Sequence, residues 1–161
     1  MDKSEKLALG LSGLLLAAFF LALIYAQVAR GIEVPTCITD VEPFTSDTLF
    51  QIDENEYELH MITRMWAFEP SSVTLPVGST VHLYVTSRDI IHGFKIEGKN
   101  VNLMAVPQTI NYIPVTFNEP GEYFFACHEF CGAAHHLMAG RIIITDNEED
   151  LARADLPGGE R

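Results

Sequence analysis

The sequence predicts a mainly β protein, a β-sandwich or barrel, preceded by one N-terminal transmembrane helix. Two observations predict this fold class. An uninterrupted apolar run lies near the N-terminus, and after residue 55 apolar and polar residues alternate in a series of short segments. No long amphipathic helical pattern follows residue 30. The length of 161 residues fits one modest domain plus an appendage.

The predicted helix covers residues 7–29, which carry no charge and include only Ser12, Tyr25 and Gln27 as polar residues. A helix of that length measures roughly 34 Å and can cross a hydrocarbon core of about 30 Å. A cleaved signal peptide is the alternative, but its apolar core should be shorter, and no Ala-x-Ala cleavage site follows this run. We therefore expect an uncleaved membrane anchor over residues 1–30.

Basic residues on the two sides of the helix predict its orientation. Lys3 and Lys6 precede the apolar run, whereas only Arg30 follows it closely. Because Lys and Arg accumulate on the cytoplasmic side of membrane helices, the N-terminus is expected in the cytoplasm. Residues 31–161 are then expected on the outer side of the membrane.

The β domain is predicted over residues 56–145. Residues 81–85 alternate Val, Leu and Val with His and Tyr, which is the period-two pattern of a half-buried strand. Short strands separated by Gly and Pro turn signals at this spacing are typical of a sandwich or barrel. Residues 31–55 are predicted to be a linker and lead-in, and residues 146–161 an acidic C-terminal tail. Further candidate strands lie at residues 57–61, 73–75, 121–125 and 141–145.

Composition excludes several classes of function. The chain has 10 Lys and Arg against 22 Asp and Glu, a net charge of −12, whereas a nucleic-acid-binding protein needs a basic face. Three cysteines are too few for a disulfide-dense scaffold. No nucleophile–base pair or acidic cluster stands out for hydrolysis.

The segment of residues 127–138, here called the Cys loop, concentrates the candidate ligands. Cys127, Cys131, His135 and Met138 fall within this short stretch. Thiolate, imidazole and thioether groups together are soft ligands that suit copper, whereas zinc gains little from methionine. Because each of two thiolates can bridge two metals, the pattern is compatible with a binuclear copper centre. A disulfide between the two cysteines is the alternative that involves no metal.

His92 is the expected additional donor. It follows one predicted strand and precedes another, which in a sandwich places it at an end of the sheets where it can meet the Cys loop. Asp89 is expected either to orient this site from the outer shell or to serve only as a turn residue. His128 and His136 lie beside these ligands and are predicted to point away from the metals.

Two motifs give this chain a specific resemblance. Cys-x-x-x-Cys-x-x-x-His-x-x-Met, with Asp-Ile-Ile-His-Gly-Phe upstream, resembles the CuA domain of cytochrome c oxidase subunit II. The single helix is most similar to subunit II of B-type haem-copper oxidases. The similarity is close over roughly residues 65–145. It implies a cupredoxin-like Greek-key sandwich for residues 56–145 and a binuclear CuA cofactor.

The resemblance also implies the individual ligands. Cys127 and Cys131 would bridge the two copper ions. His92 and Met138 would complete one copper, while His135 and the backbone carbonyl of Glu129 would complete the other. A further hypothesis is that the Glu129 side chain binds a second ion. The list of predicted metal-binding residues is therefore His92, Cys127, Glu129, Cys131, His135 and Met138.

The function implied by the resemblance is an electron relay. Cytochrome c or a small copper protein would donate one electron to the copper centre, which would pass it to haem in subunit I for reduction of oxygen to water. The implied partners are that haem-bearing subunit, a small membrane subunit and the lipid bilayer, in the plasma membrane of a prokaryote. The segment with Trp66 and Phe68 resembles the aromatic stretch at which electrons enter the family's copper domain. Packing of these side chains in the sandwich is the alternative. Glu5 is similar in position to a proton-uptake residue, although a flanking charge would look identical.

Other functions stay open at this point. One is a membrane-anchored copper-binding metallation factor, but such factors resemble thioredoxins, with helices between strands, and would leave Met138 unexplained. Another is a different CuA electron carrier, such as a domain of nitrous-oxide reductase, which is a much longer protein. Subunit II of quinol oxidases is a structural relative that has lost the cysteine and histidine set present here.

Overall fold

The computed structural model describes residues 2–153, and the chain divides between Glu33 and Val34 into two compact units. The first unit is the helix α1, Lys3–Arg30. Its most apolar 18-residue window has a mean hydropathy of 2.6, and none of that window is buried. These properties are those of a helix long and apolar enough to cross a membrane.

Local hydrogen bonds define both ends of α1. The Asp2 carboxylate accepts the N–H of Glu5 at 2.7 Å, and the Glu5 carboxylate accepts the N–H of Asp2 at 2.8 Å, which is a capping box. At the other end Gly31 adopts a left-handed conformation with φ 56°, and its N–H bonds to the carbonyl of Ala26. The capping residues Asp2 and Gly31 therefore define the two ends of the helix.

The second unit, within the described residues, is built from strands in two sheets. It also contains one 3₁₀ turn, His135–Leu137, and a short helix α2, Glu148–Arg153. The strands are β1 Thr36–Ile38, β2 Thr48–Asp53, β3 Glu56–Arg64, β4 Ala67–Glu69, β5 Ser72–Pro76, β6 Ser79–Ser87, β7 His92–Ile96, β8 Val101–Ala105, β9 Ile110–Phe117, β10 Gly121–Ala126 and β11 Ala139–Thr145.

The two sheets form a sandwich. The first has the strand order β1-β9-β6-β3-β2, with β4 paired to the end of β3, and the second has the order β5-β11-β10-β7-β8. The pairs β3 with β6 and β5 with β11 are parallel, and the other pairs are antiparallel. The chain therefore crosses repeatedly between the sheets, as in a Greek key. The predicted mainly β sandwich with one N-terminal helix is confirmed.

The core lies between the two inner faces. Val81, Leu83 and Val85 of β6 are fully buried, whereas His82 and Tyr84 between them are half-buried on the outer face. The alternation predicted for this segment is confirmed. Because one face of each such strand is buried, the register of strand pairing is fixed. A slip of one residue would turn the apolar side chains of that strand toward solvent.

The range 31–55, predicted to be a linker and lead-in, contains two strands of the first sheet. β1 pairs with β9, and β2 pairs with β3, so they form the two edges of that sheet. Neither strand has a fully buried residue, and their apolar periodicity is correspondingly weak. In the predicted acidic tail, α2 begins at Glu148, and residues 154–161 lie outside the described residues.

Candidate metal centre

The predicted ligands come from two places in the second sheet. The Cys loop connects β10 with β11, and His92 is the first residue of β7. Because β7 and β10 are antiparallel, with Ala126 opposite Lys95, the chain that leaves β10 runs toward the start of β7. The ligand atoms of His92, Cys127 and Cys131 consequently lie within 4.8 Å of one another, and all three residues are buried. No other group of this kind occurs among residues 2–153.

The Cys131 sulfur is the centre of this cluster. Its Sγ lies 3.7 Å from Cys127 Sγ and 3.6 Å from His135 Nδ1. It also lies 3.8 Å from the Sδ of Met138, which is 1% exposed. Cys127 Sγ in turn lies 3.1 Å from the carbonyl oxygen of Glu129. The two sulfurs are not bonded to each other, and the remaining donors converge on them.

Backbone hydrogen bonds within the Cys loop produce this convergence. The N–H of Cys127 donates to the carbonyl of Met138 at 3.0 Å, which ties the two ends of the loop together. The N–H of His135 donates to Gly132 O at 3.2 Å, and the N–H of Met138 donates to His135 O at 3.1 Å. In such a 3₁₀ turn, residues three apart lie on the same side. His135 and Met138 therefore both face the cysteines.

His92 is fixed at one nitrogen and free at the other. Its Nε2 donates to Asp89 Oδ1 at 2.8 Å, and the side chain is completely buried. Its Nδ1 has no hydrogen-bond partner, and among residues 2–153 the only other such buried side-chain atom is Asn111 Nδ2. Since Nε2 carries the proton, Nδ1 presents a lone pair. A buried lone pair without a donor is what a metal ligand requires.

Asp89 is held in its ionised form by the groups around it. Burial would raise the pKa of this carboxyl group. Hydrogen bonds from His92 Nε2 and from the N–H groups of Met65 and Ile90 outweigh burial, so the pKa of Asp89 lies below its ordinary value. A carboxylate is the stronger acceptor for an imidazole N–H. Asp89 contacts His92 directly, and its outer-shell role stays a prediction.

The two thiols favour a cation between them. Burial raises the pKa of Cys131 to about 11, and the hydrogen bond and charge of Cys127 add to the rise. Two neighbouring thiolates in a buried site are therefore unfavourable by themselves, whereas a soft cation that replaces the thiol protons removes their repulsion. Two sulfurs, two imidazoles, a thioether and a carbonyl form a donor set that fits copper.

The remaining histidines lie beside the ligands or on the first sheet. His136 is exposed. The His128 ring packs over Gly93, where an added Cβ would come within 2.7 Å of it. His128 Nδ1 lies 3.9 Å from the Glu129 carboxylate, so the side chain of Glu129 contacts a histidine while its carbonyl contacts Cys127. His60 and His82 lie on the outer face of the first sheet.

Trp66 contacts the Cys loop directly. Its Nε1–H donates to the carbonyl of Cys131 at 3.0 Å, and its ring lies over Gly132. The side chain is 39% exposed, so it joins the surface to the cluster. The sequence offered no signal for this hydrogen bond, because the two residues are 65 positions apart and lie in connections between strands of different sheets.

The surroundings of Phe68 and Glu5 favour the alternative interpretations, a packing residue and a flanking charge. Phe68 is 2% exposed and packs edge-on against Phe94 and Phe125, with ring centroids 5.5 and 5.2 Å away. This places Phe68 in the core. The Glu5 carboxylate takes part in the capping box of α1 with Asp2.

Comparison with known proteins agrees with this geometry. Residues 39–146 match the family model described as cytochrome C oxidase subunit II, periplasmic domain. The chain belongs to the cytochrome c oxidase subunit II family. The resemblance deduced from the two sequence motifs is thereby confirmed, and the chain is a subunit of an oxidoreductase complex. The assignments of individual ligands stay predictions.

Relatives from several organisms support the family membership. Cytochrome c oxidase subunit 2 of Thermus thermophilus is 30% identical over 114 residues, which are 70% of this chain and 84% of that protein. Heme-copper oxidase subunit 2 of Aeropyrum pernix is 37% identical over 79 residues, 48% of this chain and 34% of that protein.

Solved structures agree in fold with this subunit II. A chain of a heme-copper terminal oxidase dimer is 44% identical, with a TM-score of 0.76, and the match covers 89% of this chain and all of that chain. The periplasmic domain of subunit II of the Bradyrhizobium japonicum cytochrome oxidase is 17% identical with a TM-score of 0.53, covering 70% of this chain and 93% of that domain. The latter likeness shows the fold alone. The predicted cupredoxin-like sandwich is confirmed.

Proposed function

We propose that this chain is the electron-accepting subunit of a respiratory terminal oxidase, with a binuclear CuA centre in the outer domain. Electrons come from cytochrome c or a small copper protein and continue to haem in subunit I, where oxygen is reduced to water. The observation that carries this proposal is the pair of buried sulfurs 3.7 Å apart on which the other donors converge. Two bound copper ions would supply a one-electron redox couple there.

The chain's own residues would divide the metal ligation as follows. Cys127 and Cys131 would hold both ions through their sulfurs. His92 and Met138 would complete the ligands of one ion, and His135 with the Glu129 carbonyl would complete those of the other. Glu129 therefore acts through its backbone, and its side chain is free to vary.

The surrounding protein keeps the centre dry and rigid. His92, Cys131 and Met138 are at most 2% exposed, so water is largely excluded from these three ligands. The Cys loop is closed by its own hydrogen bonds and anchored to two adjacent strands of a sandwich. A site that keeps its geometry in both oxidation states needs little rearrangement when an electron arrives or leaves.

The position of Trp66 favours it as the side chain at which electrons enter. It is partly exposed and hydrogen-bonded to the backbone of a bridging cysteine. Phe68, in contrast, is only 2% exposed and offers almost no surface for a donor to touch. In the membrane, α1 would anchor the chain with its N-terminus in the cytoplasm and the copper domain outside, in the plasma membrane of a prokaryote. Subunit I and a small membrane subunit are the proposed partners there.

The metallation-factor alternative is less well supported. Within residues 34–153, the segments that join one strand to the next contain no α-helix, and the helical turn between β10 and β11 spans only three residues. A thioredoxin-like fold requires helices between its strands. Met138, which that alternative leaves without a role, lies in contact with Cys131 Sγ.

An electron paramagnetic resonance measurement tests the proposal. The full-length chain is purified in detergent, loaded with equal amounts of copper(I) and copper(II), and freed of excess metal. We expect uptake of two coppers and a spectrum in which one unpaired electron is shared by two equivalent copper nuclei. Cys131→Ser should abolish that spectrum, whereas Cys37→Ser, at the exposed third cysteine, should retain it. A spectrum of a single copper, or one unchanged in Cys131→Ser, would contradict the proposal.

A further inference from the structure

The turn between β3 and β4, formed by Met65 and Trp66, contacts both of the loops that carry proposed ligands. β3 and β4 pair with Arg64 opposite Ala67, so only these two residues connect the strands. The turn itself contributes no ligand. One of its hydrogen bonds nevertheless ends on the ligand residue Cys131, and another ends on Asp89, which is bonded to the ligand His92.

One arm of contacts runs from Trp66 to the Cys loop. The indole N–H donates to the carbonyl of Cys131 at 3.0 Å. The ring also lies so close to Gly132 that an added Cβ would come within 3.1 Å of Nε1. Gly132 has a φ of 116°, which only glycine adopts readily. The backbone beside the bridging cysteine is thus held against the indole.

The other arm runs from Met65 to His92 through Asp89. The N–H of Met65 donates to Asp89 Oδ2 at 2.7 Å. The second oxygen of the same carboxylate accepts Nε2 of His92 at 2.8 Å and the N–H of Ile90 at 2.7 Å. Asp89 therefore uses one oxygen for the turn and the other for the ligand and its own loop.

We propose that Met65, Trp66 and Asp89 form a brace that fixes the distance and orientation of His92 relative to Cys131. The expected effect of the brace on copper binding rests on the proposed function, whereas the brace itself consists only of protein contacts. Trp66 and Asp89 are positioning residues in this scheme. Neither supplies an atom to the metals.

The need for such a brace follows from the way the site is assembled. His92 is separated in sequence from the Cys loop by more than thirty residues, and its free Nδ1 can only be aimed through the bond at Nε2. Asp89 supplies that bond, but the carboxylate sits on an irregular segment between β6 and β7. The Met65 amide ties it to a hairpin that also holds Cys131. Ligands held by such outer contacts keep metals more tightly.

Copper affinity of full-length variants in detergent tests the brace. Asp89→Asn keeps the shape of the side chain but gives one oxygen acceptor in place of two, so one arm is lost. Trp66→Phe keeps a ring over Gly132 but loses the N–H. Each variant should weaken copper binding by about 10- to 100-fold. The matched controls are Asp53→Asn, whose carboxylate accepts the adjacent Glu54 N–H at 2.7 Å, and Tyr123→Phe, which loses a hydrogen bond to Glu119 O. Both controls should bind copper as the native chain does.

The combined variant separates a brace from two unrelated contacts. If Asp89 and Trp66 act through the same turn, breaking both arms should weaken binding no more than the more damaging single variant does. The two-copper spectrum should also broaden in each single variant, because the nuclei become inequivalent when one ligand moves. Losses that multiply in the combined variant, with native-like spectra in both single variants, would overturn the inference.

A measurement without copper distinguishes failure of the brace from failure of the proposed function. The chain has one tryptophan, so its indole N–H gives a single nuclear magnetic resonance signal. The brace predicts slow exchange of this proton in the native chain and faster exchange in Asp89→Asn but not in Asp53→Asn. If the native chain lacks a two-copper spectrum but shows this exchange pattern, only the proposed function fails. If exchange is fast in the native chain, the brace fails whatever metal is bound.

Discussion

Replacing Phe68 by leucine distinguishes a packing role from an electron-transfer role. Phe68 is 2% exposed and forms edge-to-face contacts with Phe94 and Phe125. Each aromatic pair of this kind is worth about 0.5–1.5 kcal/mol beyond the burial of its area. Leucine fills much of the same volume but removes both pairs. We therefore expect Phe68→Leu to lower the free energy of unfolding by about 1–3 kcal/mol.

Urea unfolding of the full-length chain in detergent, followed by the fluorescence of Trp66, measures this loss. The control is Phe124→Leu, since Phe124 is 50% exposed on the outer face of the second sheet. It should change the free energy of unfolding by less than about 0.5 kcal/mol. The rate at which the copper-loaded chain accepts an electron from reduced cytochrome c should be native in both variants. A Phe68→Leu chain of native stability that accepts electrons slowly would refute this reasoning.

Three further substitutions test the site. Met138→Leu should retain two coppers and change stability by less than about 1.5 kcal/mol, because the volumes are similar, but should shift the reduction potential measured by redox titration. An unshifted potential would argue against Met138 as a ligand. Glu129→Gln should leave the copper content and spectrum native, because only the backbone carbonyl contacts Cys127; loss of copper on analysis would show that the side chain binds metal. Gly132→Ala should lower the free energy of unfolding by about 1–3 kcal/mol, because its φ is 116°, and an urea titration that shows no loss would contradict the geometry of the loop.

The sequence predicts the fold well wherever one strand face is buried. In β6 the buried valines and leucine alternate with half-buried side chains, and this alternation is readable in the sequence. β1 and β2 are edge strands without a fully buried residue, so their pattern is weak. β9 contains Pro114, which argues against a strand in isolation. Proline has no N–H to donate to a neighbouring strand. β1 pairs only with residues 110–112 of β9, so it does not extend to Pro114.

The site is predictable where it is local and unpredictable where it depends on tertiary contacts. The spacing of Cys127, Cys131, His135 and Met138 places four candidate ligands in one loop, and the structure brings them together. His92 required the additional assumption of a sandwich. No periodicity or motif indicates that the Met65 amide bonds to Asp89, since backbone donors carry no sequence signal.

The hydrogen bond from the amide of Cys127 to the carbonyl of Met138 has a consequence for assembly of the holoprotein. It joins the first and last donors of the loop through main-chain atoms alone, so the cage is shaped during folding of the polypeptide and before any ion arrives. The conformational entropy of ordering the loop is then lost at folding and does not diminish the affinity at loading. With the proposed function, an apoprotein of this kind would receive its metal after folding and could release and rebind it without unfolding.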